Sequence, residues 1–308
     1  MLPFKRILLT FTLAALTASA EDCPKFQPAE SLPSPALAGL REISGIVASR
    51  RYEGVFWVHN DSGDTARIYA LGADGAHLGT FNLAGASARD YEDIALGPGP
   101  ESGADYLYVG DIGDNDQERP AITVYRVAEP VVDKDAAPAD AALTGVEAFE
   151  LRYPGAPESV YNAETLLVDP ADGTVLIVTK DLGAEAGLSH VFAAPNPLNP
   201  AGPNTLTEVA TLNFGPGRAH QITGGDIRGD GREVALRTYS LIYLWPRLAG
   251  AGWAEVFGQA PCKVIPGIEP QGEAVCFAAD GINLYTVSEA AKKKPAAPFH
   301  RYARKPAP

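Results

Sequence analysis

Three cysteines are all that the 308 residues contain, and none stands in a Cys-x-x-Cys or Cys/His spacing. That excludes a zinc site of the usual ligand pattern. The chain has no Gly-x-Ser-x-Gly elbow, no His-Glu-x-x-His and no phosphate-binding loop, so the common sequence carriers of acyl transfer, zinc proteolysis and nucleotide binding are missing. Basic residues are scarce through the body of the chain. Residues 21–291 hold 17 Lys and Arg against 38 Asp and Glu, a balance of −21. An acidic body repels phosphate backbones, which excludes nucleic acid as a partner and favours cations or ligands held through cations.

Apolar runs are short as well. The longest, Ile7 to Leu16, follows Lys5 and Arg6 and precedes Ala18-Ser19-Ala20. This is the layout of a secretory signal cleaved after Ala20, and the run falls short of the roughly 20 residues that cross a bilayer. Glu21 and Asp22 ahead of Cys23 argue against a lipoprotein signal. The expectation is a periplasmic or extracellular protein, monomeric and without a stable membrane anchor. Residues 21–302 should form one domain, and 303–308 a disordered basic tail that completes the run of positive charge from Lys292. In an oxidising compartment Cys262 and Cys276, fourteen apart, could close a loop; alternatively Cys23 pairs with either.

What the chain does have is a repeat. Five times a short apolar segment opened by a small or acidic residue is followed by a turn and a second β-rich segment. The copies are Ser44-Gly45-Ile46-Val47 with Phe56-Trp57-Val58, Glu92-Asp93-Ile94-Ala95 with Leu107-Tyr108-Val109, Glu164-Thr165-Leu166-Leu167 with Leu176-Ile177-Val178, Gly225-Asp226-Ile227 with Val234-Ala235-Leu236, and Glu273-Ala274-Val275-Cys276 with Leu284-Tyr285-Thr286. Turn formers such as Asp172-Gly173, Asp230-Gly231 and Asp280-Gly281 make each pair a hairpin. Third strands follow at Arg67–Ala70, Thr123–Arg126 and Phe299–Tyr302. With no amphipathic helix, the recurrence predicts an all-β fold, a single five-bladed β-propeller. The last copy has room for about three strands, so the segment from Phe26 to Leu40 is expected to complete it and close the ring. Val131–Gly145 and Ala194–Asn204 read as surface loops.

In a propeller the start of each first strand and the end of each second strand meet on one face. The starts carry Glu92, Glu164, Asp226 and Glu273, with Glu42 just before Ser44. The ends carry His59, Asn60, Asp61 and Asp64, then Asp111, Asp114 and Asn115, then Lys180, then Glu289. Ser44 to Asn60, Glu164 to Lys180 and Glu273 to Glu289 are each sixteen residues, which sets these positions in register. Converging carboxylates repel one another and call for a cation, and hard oxygen donors suit Ca²⁺. Glu42, Glu92, Glu164, Asp226 and Glu273 are therefore the expected metal ligands. His59, the one histidine of five at this mouth, is the candidate general base beside Asp61. Asn60, Asp64, Asp111, Asp114, Asn115, Lys180 and Glu289 are the expected contacts to a small polar ligand. The competing reading is structural: such acids accept backbone N–H groups of the neighbouring blade or make ordinary turns. Residues 225–233 resemble the calcium loop of integrin-type repeats, but Arg228 stands where an oxygen ligand is required and Val234 where the last carboxylate belongs, which favours a hairpin turn.

Taken together, Ile43-Ser44-Gly45, the run from His59 to Asp64, Tyr91–Ala95, Gly110–Asn115 and Gln271–Ala274 resemble a family of exported bacterial β-propeller proteins. The resemblance covers most of the chain after the signal and implies a fold but no particular activity. The acid-headed inner strands are more distantly similar to gluconolactonase/regucalcin-like and esterase-like phytase propellers, where the resemblance implies an axial metal that supports hydrolysis. Two functional classes follow. One is a cation-binding propeller that takes a small polar ligand, with hydrolysis of an ester, lactone or phosphoester as an extension. The other is a non-enzymatic propeller that docks a protein or cell-envelope component.

Overall fold

In the computed structural model, which describes residues 23–37, 39–182, 187–290 and 297–306, five small sheets, each antiparallel through its four blade strands, stand in a ring. The protein is a five-bladed β-propeller. From the axis outward, blade 1 comprises Ile43–Ala48, Val55–Asn60, Arg67–Gly72 and His77–Leu83. Blade 2 comprises Tyr91–Pro98, Asp105–Asp111, Ile122–Ala128 and Glu147–Arg152. Blade 3 comprises Ala163–Val168, Val175–Thr179, Leu188–Ala193 and Thr207–Asn213. Blade 4 comprises Ile222–Ile227, Glu233–Thr238, Ile242–Pro246 and Cys262–Val264. Blade 5 comprises Gly272–Phe277, Leu284–Ser288, Phe299–Tyr302 and, from the other end of the chain, Glu30–Leu32.

The inner strands are buried along their length, save Pro98 at the end of the blade 2 strand, because each side of a blade faces another blade. Val47 packs with Ile94 and Leu96 of blade 2, whereas Ile46 and Ala48 pack with Ala274 and Cys276 of blade 5. This two-sided burial explains why these segments read as continuous apolar runs rather than alternating ones. Five such wedges, one per blade interface, make up the core. The Asp-Gly hairpins form as the sequence requires, with Gly173, Gly231 and Gly281 at φ between 70° and 80°.

Closure follows the expected route. Glu30, Ser31 and Leu32 pair antiparallel with Arg301, His300 and Phe299. A disulfide between Cys23 and Cys262 then fastens the same segment to the outermost strand of blade 4. Cys276 lies on an inner strand, buried and free, so neither pairing that involved it forms. The basic end differs from expectation as far as Lys305. Gln27 N–H donates to Ala303, Lys305 N–H donates to Lys25 at 2.7 Å, and the Arg304 guanidinium pairs with Glu233 and lies over the Phe26 ring. The two expected loops also contribute strands: Ala139–Leu143 runs parallel to His77–Leu83, and Asn204–Thr205 parallel to Leu151–Arg152. Each covers a sheet edge that would otherwise be open. The signal-peptide reading and Lys292–Lys294 lie outside the described residues.

A bridge across 239 residues of sequence restrains the unfolded chain strongly, so Cys23→Ser is expected to cost about 2–4 kcal/mol in denaturant unfolding. Thiol titration of the unfolded wild type should find a single free thiol, mapping to Cys276.

Candidate functional site at the acidic mouth

Every inner strand opens on a β-bulge at the same place. The register slips between Ile43 and Gly45, Tyr91 and Asp93, Ala163 and Thr165, Ile222 and Gly224, and Gly272 and Ala274. The extra residues are Ser44, Glu92, Glu164, Thr223 and Glu273. A bulge re-aims a side chain that regular pairing would commit to one face of the sheet. Just beyond each bulge one backbone bond repeats around the ring: Asp61, Gly113, Lys180, Tyr239 and Glu289 donate their N–H groups to the carbonyls of Glu42, Asp90, Asn162, Gln221 and Gln271, at 2.8 to 3.3 Å. Three rings of mostly polar residues thus share one mouth. The sixteen-residue spacing misaligned one of them. Asn60 pairs with Ile43, as Thr179 pairs with Ala163 and Ser288 with Gly272, so Asp61 rather than Asn60 is the equivalent of Lys180 and Glu289.

Blades 1 and 2 build the tightest cluster. Carboxylate oxygens of Asp61, Asp90 and Glu92 all lie within 4.8 Å of one another. Gly113 makes this possible, because a Cβ there would collide with the carboxylates of both Glu92 and Asp90. Ser44 Oγ donates to the Glu92 carbonyl at 2.7 Å. Burial, followed by the charges of Glu164, Asp61 and Asp90, pushes Glu92 well above the carboxylate range. Asp61 is raised to about 7, first by burial and then by Asp90, Glu164 and Glu289. Asp90 is raised by burial and by Glu164. Carboxylates in this condition gain from any cation placed among them.

Blades 3, 4 and 5 build the other half. Glu164 Oε1 accepts from Lys180 Nζ at 2.9 Å and from Asn162 Nδ2 at 3.1 Å. The same ammonium donates to Tyr239 Oη at 3.0 Å and lies 5.1 Å from that ring, over which Arg218 also sits. Burial opposes the Lys180 charge, but Glu164 leads the neighbours that outweigh it and drive its pKa up. Glu273, only 3 % exposed, has no hydrogen-bond partner for Oε2, and burial and Glu164 raise it to about 8. Glu289, raised by burial and by Glu42, accepts from Gln271 Nε2 at 2.8 Å.

Other expected site residues serve the framework. His59 is wholly buried against Gly45 and held down to about 4 by that burial. Its Nδ1 contacts the Asn60 carbonyl at 2.8 Å, which places the proton on Nδ1. It was expected as a general base beside Asp61, but its ring lies fully buried. Asp226 is not at the mouth either: it lies three residues beyond the bulge residue Thr223 and accepts the Phe277 N–H of the next blade at 2.8 Å. Asp64 gathers Asn60 Nδ2, Tyr69 Oη and Arg67. Asp111 pairs with buried Arg119 at 2.9 Å and accepts the Arg89 and Asp90 N–H groups. Asp114 accepts from Glu118 and Arg119 N–H. Glu42 and Asn115 are exposed at the rim. Residues 225–233 make a plain hairpin turn in which Arg228 pairs with Asp230 and Glu233.

Asp90, Asn162, Tyr239 and Gln271 were missed by sequence reasoning. A signal existed: the residue two before each bulge, Glu42, Asp90, Asn162, Gln221 or Gln271, is polar in all five copies. No protein-family model and no curated protein matches the chain. The chemistry open to this mouth is that of its own side chains: a dense group of oxygen donors, a buried ammonium and carboxylates that hold protons near neutrality.

The titrations have a definite sign. Asp61 and Glu273 ionise near pH 4 in the unfolded chain but near 7 and 8 when folded, so the folded state holds extra protons and loses stability as pH rises through those values. His59, depressed to about 4, acts oppositely, but only below about 6.5. In chelator the melting temperature should therefore fall from about pH 6.5 to 8.5, with a shallower slope in Asp61→Asn. Gly113→Ala should destabilise the fold by about 1–3 kcal/mol in denaturant unfolding, the usual cost of overpacking.

Proposed function

We propose that this protein is an exported propeller that binds one divalent cation, best matched by Ca²⁺, through Asp61, Asp90 and Glu92, and holds a small polar ligand beside it at the mouth. The observation that carries this reading is the meeting of three carboxylates within 4.8 Å in surroundings that disfavour their charge. Three carboxylates offer up to about six hard oxygens, the donor type and number that calcium prefers. The resemblance of the acid-headed strands to metal-dependent propellers agrees with it. Export is supported by the signal-like first twenty residues and by the Cys23–Cys262 bond, a linkage that persists in oxidising compartments.

The ligand would meet Lys180, Tyr239, Gln271 and Glu289 across from the cation. A bound cation supplies Lewis acidity toward an ester, lactone or phosphoester oxygen. The protein's own contribution to hydrolysis would be a proton held on the Glu273 carboxyl at neutral pH. His59 has no part in this reading, because its ring is sealed from the mouth.

Calcium at about a hundred times its dissociation constant should stabilise the fold by about 2.7 kcal/mol, read as a rise of several degrees in melting temperature. Asp90→Asn combined with Glu92→Gln should abolish that rise. An unchanged melting temperature at millimolar calcium would remove the cation site and leave the docking of a protein or envelope component as the reading to pursue. Lactones, aryl esters and phosphoesters are then the compounds to screen, with Glu273→Gln expected to slow any turnover found.

A further inference from the structure

We infer that Lys180 stands in for a second cation at the mouth and so limits the centre to a single external ion. The inference rests on the cation reading above and adds to it what sets the stoichiometry. The mouth has two halves of similar acidity but different construction. Asp61, Asp90 and Glu92 close on a glycine, Gly113, which brings no side chain into their midst. Arg119, whose charge is felt at Asp90, is committed to Asp111 at 2.9 Å.

The other half surrounds an ammonium as oxygen ligands surround an ion. Lys180 Nζ lies 2.9 Å from Glu164 Oε1 and 3.0 Å from Tyr239 Oη. Its position is not left to a flexible chain, because the Lys180 backbone N–H is bonded to the Asn162 carbonyl and Asn162 Nδ2 donates to the same Glu164 oxygen. A further carboxylate belongs to this half. Glu273 is buried to 3 % exposure, its Oε2 has no hydrogen-bond partner, and its ionised form is disfavoured by Glu164 and favoured by Lys180. An orphaned buried oxygen of this kind is costly unless something positive faces it. Removing the ammonium leaves Glu164, the Glu273 carboxyl and a phenol oxygen around a vacated cation position, where an entering cation would displace the Glu273 proton. Hard donors in that arrangement take a divalent ion.

The test is calorimetric titration of calcium into the mature chain at neutral pH. Wild type should bind one ion and Lys180→Met two, with the second lost again in Lys180→Met/Glu273→Gln. Lys180→Arg, which keeps the positive charge, should stay at one. If the methionine variant does not fold, Lys180→Gln retains a donor for Glu164 and should also take up the second ion. Two ions in wild type, or one in wild type and in a folded Lys180→Met or Lys180→Gln, would overturn the role given to Lys180 while leaving the cation site standing. No ion in wild type would remove the site and the inference together.

Discussion

The mouth depends on closure of the ring. Like charges brought within a few ångströms drive apart whatever holds them, and here they are held by inner strands wedged on both sides. Val47 against Ile94, Leu166 against Ile112 and Cys276 against Ile46 are local parts of five continuous apolar interfaces. Each fully buried aliphatic side chain contributes about 1.5–3 kcal/mol, so a few of them offset the cost of keeping a carboxylate such as Glu92 in place. The wedges act together only while the circle is complete. Glu30–Leu32 and the Cys23–Cys262 bond complete it by tying the start of the chain to blades 5 and 4.

Within that frame one residue type serves three purposes, and burial with partnership separates them. Asp93 accepts the Leu166 N–H from the next blade at 3.0 Å, and Asp226 does the same for Phe277; these carboxylates stitch blades together. Asp64, Asp111 and Asp114 are saturated by arginines, hydroxyls or backbone N–H groups and shape the loops that rise from the second strands. Asp61, Asp90, Glu92 and Glu273 have fewer partners than oxygens to satisfy. The structural alternative read from the sequence therefore holds for the first two groups, whereas among the described residues the third makes no bond to a backbone N–H of a neighbouring blade.

Much of the fold was legible from the chain because a propeller repeats locally. An apolar run, a turn built on a glycine of positive φ and a second apolar run recur whenever a blade recurs, and the shortened last copy announced a strand from elsewhere. Two outer strands were not legible. Ala139–Leu143 and Asn204–Thr205 pair parallel to strands distant in sequence and carry no pattern of their own. The mouth was legible in part: Glu92, Glu164, Glu273, Lys180 and Glu289 were found from their place at strand ends. Asp90 escaped because it precedes the strand.

The sequence by itself determined five hairpins, an acidic balance and the face on which acids gather, since these follow from period and composition. Tertiary structure decided which acids meet. The blade 1 hairpin is one residue longer than those of blades 3 and 5, Ala48 pairing with Phe56 where Val168 pairs with Val175 and Phe277 with Leu284, and that exchanged Asn60 for Asp61; the blade 4 inner strand begins at Ile222, which puts Thr223 at the mouth and Asp226 three residues further in. The partner of Cys23 was likewise settled only by where the closed ring brings Cys262, because chain separation carries no direction in space.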